Sequence, residues 1–296
     1  MMVLIKTNYP AQSNAHIANI PLFCYTHISS TSFLPNPGHP MLFKESLFIG
    51  IDPPSGLTSL TYAALDKDLN LIALGKEDLT GVVAFVGGQK SAIVGVNAPR
   101  RLNQGLMKKD SVRDTLNPRP NPGRYTAFRV AEYELIQKNI RIPKTSDKVS
   151  LCPGWMKNGF LLYKRLEELG FKDFPAEDHK MQVLEVYPHA SYTALLKKIP
   201  FLKKTLEGRL QRQLLLRSLS VDVPDPMRLF EEITRYKIIQ GQLPLDGLYS
   251  VEELEALIAA YTAWKATSEL DEITLVGERN EGEIVIPVKE LKPKYS

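Results

Sequence analysis

Acids at the ends of apolar segments are the residues of this sequence best suited to chemistry. Asp52 closes Ile49-Gly50-Ile51-Asp52, and Glu185 lies near the end of Val183-Leu184-Glu185-Val186-Tyr187-Pro188. A carboxylate inside an apolar segment is costly unless it is paired or bound to a metal. Glu252 and Glu255 are three apart, so on a helix they share a face. Glu255 directly precedes the apolar run Ala256–Ala260, which must pack inward. Three or four converging carboxylates suit a hard, oxygen-seeking cation such as Mg²⁺ or Mn²⁺. Taken singly, each acid is equally well read as a loop cap or an arginine partner. The set, in this order along the chain, favours a site, so Asp52, Glu185, Glu252 and Glu255 are the catalytic candidates.

The elements that must position these acids can be read from periodicity and turn chemistry. Leu47–Ile51 and Ala92–Val96 are short, continuous apolar runs and read as buried strands. Ser59–Leu65 and Leu71–Gly75 flank the polar turn Asp66–Asn70 and read as a hairpin. Asp78–Val86 is predicted helical, and so are 126–138, Lys157–Leu169, about 189–198 and 203–217. Met181–Val186 reads as a further strand. Ser250 with Glu253 forms a capping box for a helix reaching about Ala266, and Ile273–Gly277 with Glu283–Val288 reads as a last hairpin. A meander of three strands followed by alternating helices and strands predicts an α/β fold with a mixed sheet. In such a sheet ligands gather at the carboxyl ends of the strands, where Asp52, Glu185 and Glu255 are expected to converge.

Residues 1–44 differ from the rest: they are rich in Asn, Ser, Thr, Pro and His, with only Lys6 and Lys44 charged. They read as a disordered or loosely attached leader, or as a product of start-site choice, since Met41 directly precedes the first strand. Residues 45–296 read as a single domain with a basic insertion around 100–150 and a C-terminal hairpin. The net charge of +4 is unevenly spread, because residues 97–165 hold 15 Lys+Arg against 5 Asp+Glu, a local +10. That segment borders the expected acidic site and favours a polyanionic partner.

Several function classes have no foothold. No apolar run approaches the roughly 20 residues that span a bilayer, so no membrane is expected. Two cysteines, Cys24 and Cys152, make no disulfide framework, which points to a reducing, cytoplasmic location. His16, His27 and His39 are too far apart for a zinc site. The phosphate-binding loop, the nucleophile elbow and the dinucleotide glycine fingerprint are all missing. A Ser-His-Asp hydrolase lacks its histidine, since only His179 and His189 fall within the folded part.

The segments Phe48-Ile-Gly-Ile-Asp52, Ile93-Val-Gly-Val-Asn-Ala-Pro99, Arg129-Val-Ala-Glu132, Leu184-Glu-Val-Tyr-Pro188, Lys204–Arg212 and Glu252–Ala263 span about residues 46–290. In order and spacing they resemble the domain of unknown function 429 family (DUF429), described as predicted RNase H-like nucleases. The resemblance implies an RNase H-like mixed sheet with flanking helices, an acidic metal site, and phosphodiester hydrolysis assisted by Mg²⁺ or Mn²⁺. It makes Asp52 the first-strand acid, Glu185 the later-strand acid and Glu252 with Glu255 the helix pair. The family usually carries aspartates in that pair, so Glu lengthens both arms. It also has Asp before Ala-Pro, where this chain has Asn97. An Asn can ligate through its carbonyl oxygen without adding charge, which gives an implied metal set of Asp52, Asn97, Glu185 and Glu255. Two ions about 3.5–4 Å apart repel and need several carboxylates, so the substitution points to one ion or none at pH 7.

The implied partner is nucleic acid, DNA or RNA. Arg100, Arg129, Lys204, Arg209 and Arg212 are its candidate contacts. Arg129 and Glu132 also read as a structural ion pair, and Lys203, Lys204, Arg209 and Arg212 as a solvated basic helix face. Trp155 and Tyr187 suit base stacking or loop anchoring. Two alternatives stand beside the nuclease reading. One is a non-catalytic nucleic-acid-binding protein on the same fold, supported by Asn97. The other is an ATP-dependent phosphotransferase of the actin and sugar-kinase type, which would need a second hairpin-bearing half that the sequence does not show.

Overall fold

The structure, a computed structural model, describes residues 46–56 and 59–296, so the expected leader lies outside the described residues. Strand β1 (Leu47–Asp52) is buried along its whole length, as its continuous apolar sequence requires. Pro53-Pro54 stops it, since proline has no N–H to extend a ladder. Strands β2 (Leu60–Leu65) and β3 (Leu71–Glu77) form the hairpin. Its turn is tied by Asp66, whose carboxylate accepts the Asp68 and Asn70 N–H groups at 2.9 Å. Helix α1 (Leu79–Gly87) is capped by the Asp78 side chain and leads into β4 (Ala92–Val96).

The basic stretch that follows contains α2 (Asp110–Arg113) and α3 (Val130–Gln137). Helix α3 starts four residues later than the sequence suggests, because Arg129 is its N-cap and Glu132 accepts the Arg129 N–H at 3.0 Å. Then come α4 (Gly154–Glu168), β5 (Lys172–Asp173), β6 (Met181–Val186) and α5 (Pro188–Leu196). Helix α6 (Leu206–Ser218) begins after Thr205, whose hydroxyl accepts the Gly208 N–H, and this leaves Lys203 and Lys204 in the preceding turn. Two short helices, α7 (Arg228–Glu232) and α8 (Arg235–Ile239), were not legible in the sequence; at five residues each they are too brief to show a period. Helix α9 (Val251–Ser268) carries the expected Ser250–Glu253 capping box, and β7 (Thr274–Val276) and β8 (Ile284–Ile286) close the chain.

The strands form one mixed sheet in the order β3-β2-β1-β4-β6-β8-β7, with β5 against β6. The β3-β2-β1 meander is antiparallel, β1, β4, β6 and β8 run parallel, and β7 returns antiparallel. Helices cover both faces. Ile49, Ile51, Val94, Val96 and Val183 pack with Val82 and Val86 of α1 and with Leu162, Tyr163 and Leu166 of α4. Phe48, Ile93, Leu184 and Val186 pack on the other face with Tyr192, Leu216 and the buried run Leu254–Ala263 of α9. Each large aliphatic side chain buried this way contributes about 1.5–3 kcal/mol.

Two glycines set how closely α9 lies on the sheet. A Cβ on Gly50 of β1 would stand 1.9 Å from the Ala256 carbonyl oxygen, and one on Gly95 of β4 would stand 2.5 Å from that of Ala259. Only bare backbone fits there. The contact brings the N-terminal half of α9 directly over the carboxyl ends of β1 and β4.

Candidate functional site

Strand alternation decides which acids meet. Successive side chains of a strand point to opposite faces, and parallel register aligns β1, β4 and β6. Ile51 pairs with Val96 and Val96 with Glu185, while the Asn97 N–H bonds to the Ile51 carbonyl at 2.9 Å. Asp52 and Asn97 therefore share the α9 face with Gly50 and Gly95. Glu185 shares the α4 face with Val96 and Val183.

On the α9 face, the Asn97 amide nitrogen donates to Asp52 Oδ1 at 2.6 Å and to Glu255 Oε2 at 3.2 Å. The other oxygen of Glu255 accepts from Lys203 Nζ at 2.6 Å. Among the described residues, Asn97 is the one side-chain partner of Asp52. Asp52 is 8% exposed. Burial, then the nearby Glu255 charge, pushes its carboxyl up to about 8, against the pull of the Asn97 hydrogen bond and the Lys203 charge. Asp52 is thus poised to hold a proton at neutral pH. Glu252, one helical turn before Glu255, is exposed.

The site opens into a cleft of about 1230 Å³. One wall is the loop after β1, held by the Asn158 amide, which donates to the Pro54 and Gly56 carbonyls at 2.8 Å. Trp155, Tyr187 and Phe201 line it, as do Lys76, Arg141, Lys203, Lys204 and Arg212. His189, also in the lining, is held to about 4 by burial and by the Arg212 and Lys203 charges, so it is neutral at pH 7.

Glu185 is not part of this assembly. Its carboxylate lies on the opposite face, where Arg129 reaches both oxygens, at 2.5 and 2.9 Å, and the Arg100 N–H adds a bond at 2.7 Å. The expectation that it ligates metal beside Asp52 fails on parity: in strand β6, position 186 faces α9 and position 185 does not. Arg129 is corrected with it. It is 1% exposed and engaged by Glu185, Glu132 and the Glu281 carbonyl, so no phosphate can reach it. Arg100 pairs with Asp173 and Glu167, and Arg209 donates to the Leu248 and Tyr249 carbonyls; neither lines the cleft. Of the five expected nucleic-acid contacts, Lys204 and Arg212 line it, and Arg212 also braces the Phe201 and Gly208 carbonyls. Part of the basic segment's charge is likewise paired with acids of the fold: Arg113, itself buried, with Asp110, and Arg101 with Asp173 and Arg119 with Asp114 at the surface.

Reading the residues as a site misses Lys203. Its place just before a helix cap carries no signal of its own, and only the fold brings it to Glu255. Among the described residues no three His, Cys, Asp or Glu side chains cluster as metal ligands would. Asp52, Glu255 and the side-chain oxygen of Asn97, once that amide is turned over, make a hard-oxygen set that fits one divalent cation. Two carboxylates do not offset the mutual repulsion of two such ions.

A family model described as protein of unknown function (DUF429) matches residues 41–281, and the chain belongs to that family. No curated protein and no solved structure matches it. Among the described residues no helix is long and apolar enough to cross a membrane.

Proposed function

We propose that this member of the DUF429 family is a metal-assisted phosphodiesterase of RNase H-like type, acting on nucleic acid in a reducing, cytoplasmic setting. The observation that carries the reading is Asp52: a buried strand-end acid with one side-chain partner among the described residues, beside Asn97 and Glu255, at the floor of a large basic and aromatic cleft. Asp52, Glu255 and Asn97 are the residues that would hold Mg²⁺ or Mn²⁺. When bound, such an ion stabilises charge developing on the phosphate oxygens and makes a bound water more acidic. Glu252, exposed on the α9 wall, is the carboxylate available to orient the attacking water. Lys76, Arg141 and Lys204 compensate the phosphate backbone along the cleft, and Trp155 and Phe201 offer faces for stacking bases.

The test is cleavage of end-labelled RNA and DNA, single-stranded and duplex, with Mn²⁺, by wild type and Asp52→Asn. Removing the acid lowers the rate by about 10²-fold or more. Equal cleavage by both proteins contradicts the proposal. A second reading, binding without cleavage, is favoured by Asn97, which takes a negative charge out of the site. Its signature is salt-dependent binding of the same substrates by wild type with no product.

A further inference from the structure

We propose that Lys203 is a resident cation of the Asp52–Asn97–Glu255 site, supplying the positive charge that a two-ion site draws from its second ion, so that this chain takes up one divalent ion only. The inference rests on the metal-assisted reading above and adds a residue and a stoichiometry to it.

Three observations carry it. The ammonium of Lys203 sits 2.6 Å from Glu255 Oε1, while Asn97 donates to the other oxygen of that carboxylate. Both Glu255 oxygens are therefore already engaged on the cleft side. The turn that presents Lys203 is fixed from several directions. Gln211 accepts the Phe201 N–H at 2.8 Å, Arg212 donates to the Phe201 carbonyl at 2.9 Å, and the Thr205 hydroxyl donates to the Leu202 carbonyl at 2.9 Å. The same turn packs so closely on α6 that a Cβ on Gly208 would stand 1.8 Å from the Leu202 oxygen. Finally, the Lys203 side chain is 46% exposed and lines the cleft although its tip rests on a carboxylate that is 9% exposed. An ammonium has three donors, so some of its donors remain for a ligand in the cleft.

The charges agree with this role. Asp52 and Glu255 ionised, with Lys203, carry a net −1, and one divalent ion takes the group to +1. A site with Asp at position 97 and no lysine carries −3, and two divalent ions take it to the same +1. Asn97 and Lys203 together thus keep the loaded charge while removing one ion. Asn97 withholds the carboxylate that a second ion would need, and Lys203 neutralises the Glu255 oxygen that faces the cleft.

Mn²⁺ binding, followed calorimetrically and by the electron spin resonance signal of free Mn²⁺, tests this in wild type, Lys203→Gln and Asn97→Asp/Lys203→Gln. Wild type is expected to bind one ion. Lys203→Gln binds one ion about tenfold more tightly, because the competing ammonium is gone, and the double variant binds two. Lys203 is half-exposed in a turn, so its replacement folds, and melting curves check this. If the double variant does not fold, the affinity change in Lys203→Gln carries the test alone. Two ions on wild type, or unchanged or weaker binding by Lys203→Gln, overturn the role of Lys203 while leaving the metal reading intact. No Mn²⁺ on any of the proteins removes the metal reading itself, and Lys203 with it.

Discussion

The sheet carries buried carboxylates on both faces at the carboxyl ends of its parallel strands, and the two groups live differently. On the α4 side, Glu185 is held by Arg129 and the Arg100 amide. Glu132 accepts from Arg129 and from the Thr145 backbone and hydroxyl, and Glu281 accepts from the Gln104, Leu106 and Val130 amides. Every one of these acids is hydrogen-bonded from several directions, and together they pin the basic segment and the β7–β8 turn to the sheet. On the α9 side, Asp52 has Asn97, and Glu255 shares that amide and takes Lys203. The difference teaches how to read a buried acid. Where partners fill its lone pairs, it builds the fold; where capacity is left over beside a cleft, it is available to a ligand.

Replacements on the two faces should therefore differ in sign, and the largest effect belongs to the α4 side. Glu185→Ala leaves the Arg129 guanidinium buried without its main partner, and the expected loss is about 3–5 kcal/mol in urea unfolding. A loss below about 1 kcal/mol would erase the distinction between the two groups. Next comes the joint that aims Glu255. Gly50→Ala pushes a methyl into the Ala256 carbonyl, which is backbone and cannot swing aside. It is expected to destabilise by about 1–3 kcal/mol or more and to abolish Mn²⁺ binding in the protein that remains folded.

On the α9 side the expected change is a gain. The folded-state pKa of Asp52 is about 8 against an ordinary 3.8, so between these values the folded protein binds more protons than the unfolded chain. Stability then falls as pH rises from about 4 to 8, by up to about 1.4 kcal/mol for each unit from this group. Asp52→Asn flattens that fall and raises the melting temperature at pH 8, whereas its effect at pH 4 is slight. A variant that melts below wild type at pH 8 would contradict the account of a carboxylate held without adequate partners. The smallest effect is at the cleft rim: Lys204→Ala should lower the slope of log affinity for nucleic acid against log salt by about one and leave stability unchanged.

How much of this could be read beforehand differs between fold and site. The meander, the buried strands, the capping box of α9 and the mixed sheet follow from local rules that the sequence obeys openly: apolar runs, an Asp-rich turn, Ser250 with Glu253. The meeting of Asp52 and Glu255 at Asn97 was legible because Asp52 closes one apolar run and Glu255 directly precedes another. Glu185 interrupts one too, and what separated it was register. Counting from Val96 across to β6 places residue 185 on the wrong face, but the register is fixed by which residues pair across strands, and a single sequence does not declare that pairing. Arg129 pairs with Glu132 as their spacing suggests, whereas its second partner, Glu185, lies 56 residues away, a link that local sequence does not declare. Lys203 could not be found, because its link to Glu255 joins elements 52 residues apart through a turn with no pattern of its own.

The central claim is that Asp52, and not Glu185, belongs to a cation-binding site. Mn²⁺ titration of wild type, Asp52→Asn and Glu185→Gln, the last keeping an acceptor for Arg129, tests it most directly. The account predicts that Asp52→Asn loses Mn²⁺ binding while remaining folded, and that folded Glu185→Gln binds as wild type does. Binding that survives in Asp52→Asn, or is lost in folded Glu185→Gln, would contradict it.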